Sequence, residues 1–188
     1  MDSLAHDIWD WAIQKNNWLS ATHIPGTLNE EADKESRKAE IRTEWMLDRD
    51  TFRFATSQLG FTPEIDLFAT RINHQVSQYV SYRPDPGCMA VNAFTLDWSG
   101  LKFYAFPPFI CLPRVIQKIC NDGAVGMIIV PNWPNQPWFS QFLEIVLTKI
   151  YLPPRQNLLQ LPQRPMSHPL NKTLGLYAAI VSGKHYQP

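Results

Sequence analysis

The sequence Gly126-Met127-Ile128-Ile129-Val130 is an unbroken apolar run between the turn Asp122-Gly123 and Pro131. A short run of this kind between turn-forming residues is typical of a strand buried on both faces. Two similar runs come earlier in the chain, at Ile65–Ala69 and Leu101–Ala105. The three runs predict the centre of a sheet.

Helical patterns alternate with these strands. Apolar residues recur at helical spacing around residues 115–119 and again around residues 139–146. Another helix is predicted from Asp48 to Leu59, with Gly60 as its stop. Alternation of strands and helices indicates parallel strands covered on both faces. We therefore expect an α/β fold with a small, mostly parallel sheet and helices on both faces.

The two ends of the chain have different patterns. Residues 1–42 predict a helix over 3–16, a strand over 18–24, and a second helix that begins at the capping box Thr27-Leu28-Asn29-Glu30. Residues 153–188 begin with a proline-rich segment that has little periodicity, which favours an extended strap. The expected division is therefore 1–42, 43–152 and 153–188.

Charge and cysteine content narrow the class of protein. The 188 residues carry 17 Lys plus Arg and 17 Asp plus Glu, whereas strong nucleic-acid binders usually have a basic face. Any binding of nucleic acid by this chain alone should therefore be weak. Its 3 cysteines form no disulfide or zinc pattern, which favours a reducing compartment. With no apolar run long enough to span a membrane, an intracellular location, cytoplasm or nucleus, is expected.

A first motif lies near the N-terminus. Ala21-Thr22-His23-Ile24-Pro25-Gly26, followed by Asp33 and Arg37, resembles the end of the ribonuclease H domain of reverse transcriptases. The resemblance implies that His23 ends a strand and that Asp33 is the last metal-binding carboxylate. Two-metal cleavage needs several converging carboxylates, so Mg²⁺ would be held only in an intact parent domain. The residues alone also fit Asp33 as a surface partner of Arg37 and His23 as a structural turn residue.

A second resemblance spans roughly residues 45–150. It is carried by Leu59–Ala69, Asn73, Asn92-Ala93-Phe94, Trp98, Phe106-Pro107-Pro108-Phe109 and Val130–Phe139. These segments resemble the phage-type Dam family of N6-adenine methyltransferases. Their order after the ribonuclease H motif resembles the pol product of DIRS-type retrotransposons. The resemblance implies a methyltransferase-like domain in a reverse transcriptase/ribonuclease H polyprotein, which would meet an RNA:DNA hybrid or DNA.

The motif loop of that family has the form (Asp/Asn)-Pro-Pro-aromatic. Its polar side chain accepts a hydrogen bond from the adenine amino group, and its aromatic ring stacks on the extruded base. Here Phe106 stands at the acceptor position, Pro107 and Pro108 follow, and Phe109 is the stacking residue. We therefore expect a domain that folds but does not methylate. A rigid apolar turn fits the same residues.

The sequence gives weaker signals for residues that would contact a cofactor or a nucleic acid. The turn Thr70-Arg71-Ile72-Asn73 has no glycine, so no cofactor is expected in this chain, and Asp66 is the best candidate to contact S-adenosylmethionine. Asp66 fits a turn-capping or ion-paired role equally well. Trp133 and Trp138 stand in a proline-stiffened loop, where they would stack on bases or pack on the core.

Three functions follow from these patterns. The first is a polyprotein fragment with a degenerate methyltransferase-like domain, inactive alone. The second is a nucleic-acid N6-adenine methyltransferase that uses S-adenosylmethionine. The third is a domesticated interaction module without chemistry. Binding of S-adenosylmethionine separates the second from the other two.

Overall fold

The computed structural model describes Gln14 and residues 45–162 and 168–184. The chain divides into two compact units, Met1–Glu40 and Ile41–Pro188. In the first unit Gln14 is described, as an exposed helical residue. The rest of the predicted helix–strand–helix segment, with His23 and Asp33, lies outside the described residues.

The second unit is mixed α/β. Its strands and helices, in chain order, are β1 (Met46–Leu47), α1 (Arg49–Leu59), β2 (Ile65–Asp66), β3 (Gln78–Ser81), β4 (Ala90–Val91), β5 (Lys102–Ala105), α2 (Leu112–Asn121), β6 (Val125–Pro131), α3 (Pro137–Ile145), β7 (Val146–Leu152), β8 (Leu159–Gln160) and β9 (Leu176–Ser182). Short 3-10 turns occur at Ala93–Thr95 and Phe109–Cys111.

Seven of these strands form one sheet, in the order β4-β3-β2-β5-β6-β9-β7. The strands from β4 to β6 are parallel, whereas β9 lies antiparallel between β6 and β7. The remaining strands, β1 and β8, form a separate antiparallel pair. The three predicted strands are β2, β5 and β6, at the centre of the sheet, so the expected mostly parallel sheet is confirmed.

Side chains alternate between the two faces of the sheet along each strand. Both faces are buried. Ile128 and Val130 of β6 belong to one core, which is covered by α2 and α3. Met127 and Ile129 belong to the opposite core, where α1 contributes Ala55. Helices therefore cover both faces, as the alternating pattern predicts.

Helix α1 has strong local signals at both ends. The Asp48 carboxylate accepts hydrogen bonds from the Thr51 backbone N–H at 3.0 Å and from its hydroxyl at 2.7 Å. The same carboxylate accepts from Gln160 at 2.6 Å and from Arg155 at 3.2 Å, which ties α1 to the segment around β8. Gly60 ends the helix in the left-handed region, with φ 59°. The predicted bounds of this helix are confirmed.

The C-terminal segment differs from the sequence-based prediction. Residues 176–182, which the prediction includes in the strap 153–188, form β9 and pair with β6 over its whole length. The prediction of a strap is therefore wrong for residues 176–182, which belong to the same sheet as β6. The strand is buried on both faces, so its sequence is a short apolar run. Periodicity alone does not distinguish such a run, which here follows a proline-rich segment, from other buried segments.

Candidate functional site

The strand order reverses between β2 and β5. From β2 the chain continues outward through β3 to β4, whereas β5 and β6 lie on the other side. In open parallel sheets the carboxyl ends of strands at such a reversal form a crevice where ligands bind. Asp66 ends β2 and Phe106 follows β5. These two residues mark the candidate site.

Asp66 is buried, with 2% of its surface exposed. Its carboxylate accepts hydrogen bonds from the backbone N–H of Phe68 at 3.3 Å and of Gln75 at 3.0 Å. Burial raises the pKa of Asp66 from 3.8 to about 7, because lost hydration outweighs the two N–H donors that favour the charged form. Both oxygens therefore hold the loop that follows β2, which is the geometry of the turn-capping alternative.

Tyr104 lies beside Asp66 in the register of β2 and β5 and is 1% exposed. Its hydroxyl is buried and has no hydrogen-bond partner. Burial, followed by the nearby Asp66 carboxylate, raises the pKa of Tyr104 well above its usual value of 10. The pair therefore places a neutral phenol against a carboxyl group whose pKa is raised to about 7.

The crevice itself is almost filled. A cavity of about 10 Å³ remains, which is close to the least volume that holds one water molecule. Its walls are Trp45, Met46, Leu47, Asp66, Phe68, Asn73, Gln75, Tyr104 and Phe106. Most of these side chains are apolar, so the crevice offers few groups to a polar ligand.

The aromatic residues of the motif loop, Phe106 and Phe109, pack against each other and against Trp133. Phe106 is half-buried, and its ring lies edge-on to Phe109 with centroids 6.1 Å apart. Pro107 is buried, whereas Pro108 is exposed and precedes the 3-10 turn. Phe109 in turn packs edge-on against Trp133 at 5.1 Å. The structure therefore brings Phe106, Phe109 and Trp133 together as one aromatic cluster, next to the crevice.

The two tryptophans that the sequence predicts in one loop, Trp133 and Trp138, have different environments in the structure. Trp133 is half-buried against Phe109. Trp138 is 6% exposed and packs beside Phe139 in the core, with ring centroids 5.6 Å apart. The core-packing alternative is correct for Trp138, because a buried indole has no free face for a base. Base stacking by Trp138 would require its side chain to leave the core, and it stays a prediction.

The turn after β2 is closed by its own side chains. The Asn73 side-chain oxygen accepts hydrogen bonds from the Thr70 backbone N–H at 2.6 Å and from its hydroxyl at 3.0 Å. The Arg71 backbone N–H donates to the Asp85 carboxylate at 2.6 Å, which joins this turn to the loop after β3. The polar groups of the turn are thus used within the protein.

Asp33, predicted as a catalytic and metal-binding residue, and His23, predicted as a catalytic residue, lie outside the described residues. Within residues 45–162 and 168–184, no three His, Cys, Asp or Glu side chains come together in a way that could hold a metal ion. In the same ranges no helix has the length and apolar character needed to cross a membrane.

Sequence reasoning missed Tyr104 and Gln75 as parts of the site. A tyrosine within the apolar run Leu101–Ala105 is itself a signal, because a buried phenol normally needs a hydrogen-bond partner. Gln75 gives no such signal, since its contacts with Asp66 and Leu47 depend on the path of a loop.

Comparison with models of known protein families gives no match to this chain, and comparison with curated proteins gives no significant match either.

Proposed function

We propose that the chain is the C-terminal part of a retroelement polyprotein with reverse transcriptase and ribonuclease H activities, and that its α/β unit is a methyltransferase-like domain that transfers no methyl group. The strand order supports this fold. Parallel strands run outward from β2 and β5, and β9 enters antiparallel between β6 and β7. This arrangement is typical of S-adenosylmethionine-dependent methyltransferases.

The observation that carries the proposal is the filled crevice between β2 and β5. Sites that bury a small molecule usually have volumes of roughly 300–1,000 Å³, whereas the cavity here is about 10 Å³. Phe68, Tyr104 and Phe106 line this crevice, and the Asn73 side chain closes its own turn. These side chains would therefore have to move before a molecule of the size of S-adenosylmethionine could enter the crevice.

The residue that would bind the adenine amino group also differs from the family motif. Phe106 offers no acceptor to an exocyclic amino group, and a lost buried hydrogen bond costs about 1–3 kcal/mol. Phe109, which would stack on the base, already packs against Trp133. Both halves of a methyl transfer are thus weakened by side chains that instead stabilise the fold.

In this proposal the domain serves the polyprotein as a folded module. Its nucleic-acid partners, an RNA:DNA hybrid or DNA, would be engaged through the parent protein. Mg²⁺ would be bound in an intact ribonuclease H site, to which the Asp33 segment contributes one carboxylate. A non-catalytic interaction module that has left its element would have the same domain structure, and the genomic context distinguishes the two.

The second candidate is an active N6-adenine methyltransferase. The strand order and the presence of Phe109 after two prolines favour it. It would require the crevice to open by more than a factor of ten in volume before S-adenosylmethionine could enter.

Calorimetric titration with S-adenosylmethionine, paired with a radiolabelled methyl assay on adenine-containing DNA, tests the proposal. We expect neither saturable heat nor label, with an active phage-type Dam enzyme as the positive control. The variant Phe106→Asp restores an acceptor, with Phe106→Leu as its matched control, and neither should transfer label because the crevice stays filled. Micromolar binding together with label transfer would place the second candidate first.

Parentage is tested separately. Translation of the genomic DNA upstream of the Met1 codon should give a continuous frame with a reverse transcriptase and the remaining ribonuclease H carboxylates. Stop codons immediately upstream would favour the stand-alone interaction module. The purified chain should show no Mg²⁺- or Mn²⁺-dependent cleavage of an RNA:DNA hybrid, and cleavage lost in Asp33→Asn would contradict this.

A further inference from the structure

The two outermost strands of the seven-stranded sheet differ in length. At one end β4 has two residues, whereas at the other end β7 has seven. Among the residues that the structure describes, β7 pairs with β9 alone, so its outer edge carries backbone N–H and C=O groups without a strand partner. Natural sheets protect such edges by short strands, outward charges, prolines or bulges. Its shortness protects β4, whereas β7 is long enough to accept a further strand.

The side chains of β7 give this edge little protection. Leu147 and Tyr151 are large hydrophobic residues with 60% and 48% of their surfaces exposed. The one charged residue of the strand is Lys149. Its ammonium group lies over the Tyr177 ring of β9, 4.7 Å from the ring centroid. This charge is therefore directed back onto the sheet, where it does little to repel an approaching strand.

A bulge and two prolines limit the regular part of the edge. The register with β9 shifts between Val146 and Thr148, which leaves Leu147 as the extra residue of a bulge. Residues 148–152 then pair with β9 residue for residue. The next two residues are prolines, which have no N–H to donate. The regular edge is therefore the segment 148–152, which we call the β7 edge.

The β7 edge is complementary to itself. Residues directly opposite each other in an antiparallel pair have side chains on the same face of the sheet. When a two-fold axis relates two copies of a strand, the register is therefore centred on a single residue. The register that pairs every residue of the β7 edge is centred on Ile150. It places Ile150 opposite its own copy, Thr148 opposite Leu152, and Lys149 opposite Tyr151.

This register brings together side chains that attract each other. Lys149 and Tyr151 both contact the Tyr177 ring, at 4.7 Å and 5.5 Å from its centroid, so they lie on the same face of the sheet. Each Lys149 would meet a tyrosine ring of the second copy, and a cation beside an aromatic ring is favourable. A register centred on Lys149 would instead place two ammonium groups opposite each other, which is destabilising. A register centred on Thr148 would extend into the bulge.

We propose that the chain forms a two-fold symmetric dimer by antiparallel pairing of the β7 edge, centred on Ile150. The two seven-stranded sheets become one continuous sheet. A short strand pair is a small interface, so the dimer should dissociate on dilution. This proposal concerns a surface for a second copy of the chain and does not depend on the origin of the chain or on methyl transfer.

Sedimentation velocity of the full chain over a wide range of concentrations tests the dimer. We expect a reversible change from one chain to two as the concentration rises. Tyr151→Lys places like charges opposite each other at two positions of the dimer, and should raise the dissociation constant by on the order of tenfold or more. The double variant Lys149→Glu with Tyr151→Lys places opposite charges there and should restore the dimer.

Val91→Lys is the matched control, because Val91 is 40% exposed on β4, at the other end of the sheet. It adds the same charge as Tyr151→Lys and should leave the dissociation constant unchanged. Circular dichroism of each variant verifies that it is folded.

Hydrogen exchange of the unmodified chain provides a measurement that depends on no variant. In an antiparallel strand every second residue directs its N–H away from the neighbouring strand. These alternate amides of the β7 edge should therefore gain protection as the concentration rises, whereas amides of β4 should not.

Several results would overturn the proposal. They are a chain that stays monomeric, a dimer that Tyr151→Lys leaves intact, and a double variant that dissociates as readily as Tyr151→Lys. If Tyr151→Lys does not fold, hydrogen exchange decides, because protection of the β7 edge that does not change with concentration would show that it has no partner strand.

Discussion

Replacement of Gly183 by alanine tests how closely the end of β9 packs against α2. Gly183 follows β9, and its N–H donates to the Ala124 carbonyl at 2.9 Å. A Cβ atom at this position would lie 2.7 Å from the Ile119 carbonyl carbon and 2.9 Å from the Cys120 Cα, and closer still to the Ile119 carbonyl oxygen. These are backbone atoms of α2, which cannot rotate aside. Either α2 or the end of β9 must therefore move.

The size of the effect can be estimated from two opposing contributions. Overpacking of a well-packed interior costs about 1–3 kcal/mol, and a rigid backbone obstacle favours the upper half of that range. Replacing glycine by alanine returns about 0.4–1 kcal/mol by restricting the unfolded chain. The free energy of unfolding should therefore fall by about 2 kcal/mol, which lowers the Tm by about 4–8 °C for a domain of this size.

Gly100→Ala is the matched control, because a Cβ at Gly100 has no heavy atom within 4 Å. It should leave the Tm unchanged or raise it slightly. Thermal and urea unfolding of both variants, followed by circular dichroism, gives the comparison. Equal stability of Gly183→Ala and Gly100→Ala would refute the close packing of the end of β9 against α2.

Three further predictions concern single side chains. In the unmodified chain the free energy of unfolding should fall as the pH rises from about 4 to 7, because the pKa of Asp66 is raised from 3.8 to about 7; Asp66→Asn should abolish this fall in urea titrations at pH 4 and pH 8, at a pH-independent cost of about 1–3 kcal/mol for the backbone N–H that loses its acceptor. Tyr104→Phe removes a hydroxyl without a partner and should leave the free energy of unfolding unchanged or raise it by about 1 kcal/mol, whereas a clear loss in urea titration would show that the hydroxyl has a partner. Asp48→Ala removes the helix cap and the acceptor for Gln160 and should cost about 2 kcal/mol, with a smaller loss in Asp48→Asn, measured in the same way.

The parts of the fold that the sequence predicts correctly carry their own local signals. Helix α1 has a capping aspartate at Asp48 and a left-handed glycine at Gly60. β6 is an apolar run bounded by turns. β9 has a comparable apolar run, but its place between β6 and β7 depends on pairing with strands far away in sequence. Local patterns carry no information about such pairing, so the sequence predicts an extended segment at 176–182 instead of a strand of the sheet.

In the candidate site, too, the features with local sequence signals are predicted and those that depend on long-range contacts are not. Asp66 and Phe106 are predicted from the sequence because Asp66 stands within a predicted strand and Phe106 directly follows one. The lack of an acceptor at Phe106 follows from its chemistry alone. The filled crevice is not predicted, because its walls include Trp45 and Leu47, which lie outside the predicted strands. The unpartnered Tyr104 hydroxyl likewise depends on three-dimensional packing.

The position of β9 also bears on how the chain is made. β7 is synthesised before β9, yet β9 is its partner in the sheet. On the ribosome, β6 and β7 must therefore wait with unpaired edges until residues 176–182 emerge, and exposed strand edges recruit other chains. A translation product that stops before Leu176 would expose the edges of both strands. Such products should aggregate rather than form a smaller stable sheet, so premature termination near the end of this sequence would be as damaging as termination in its middle.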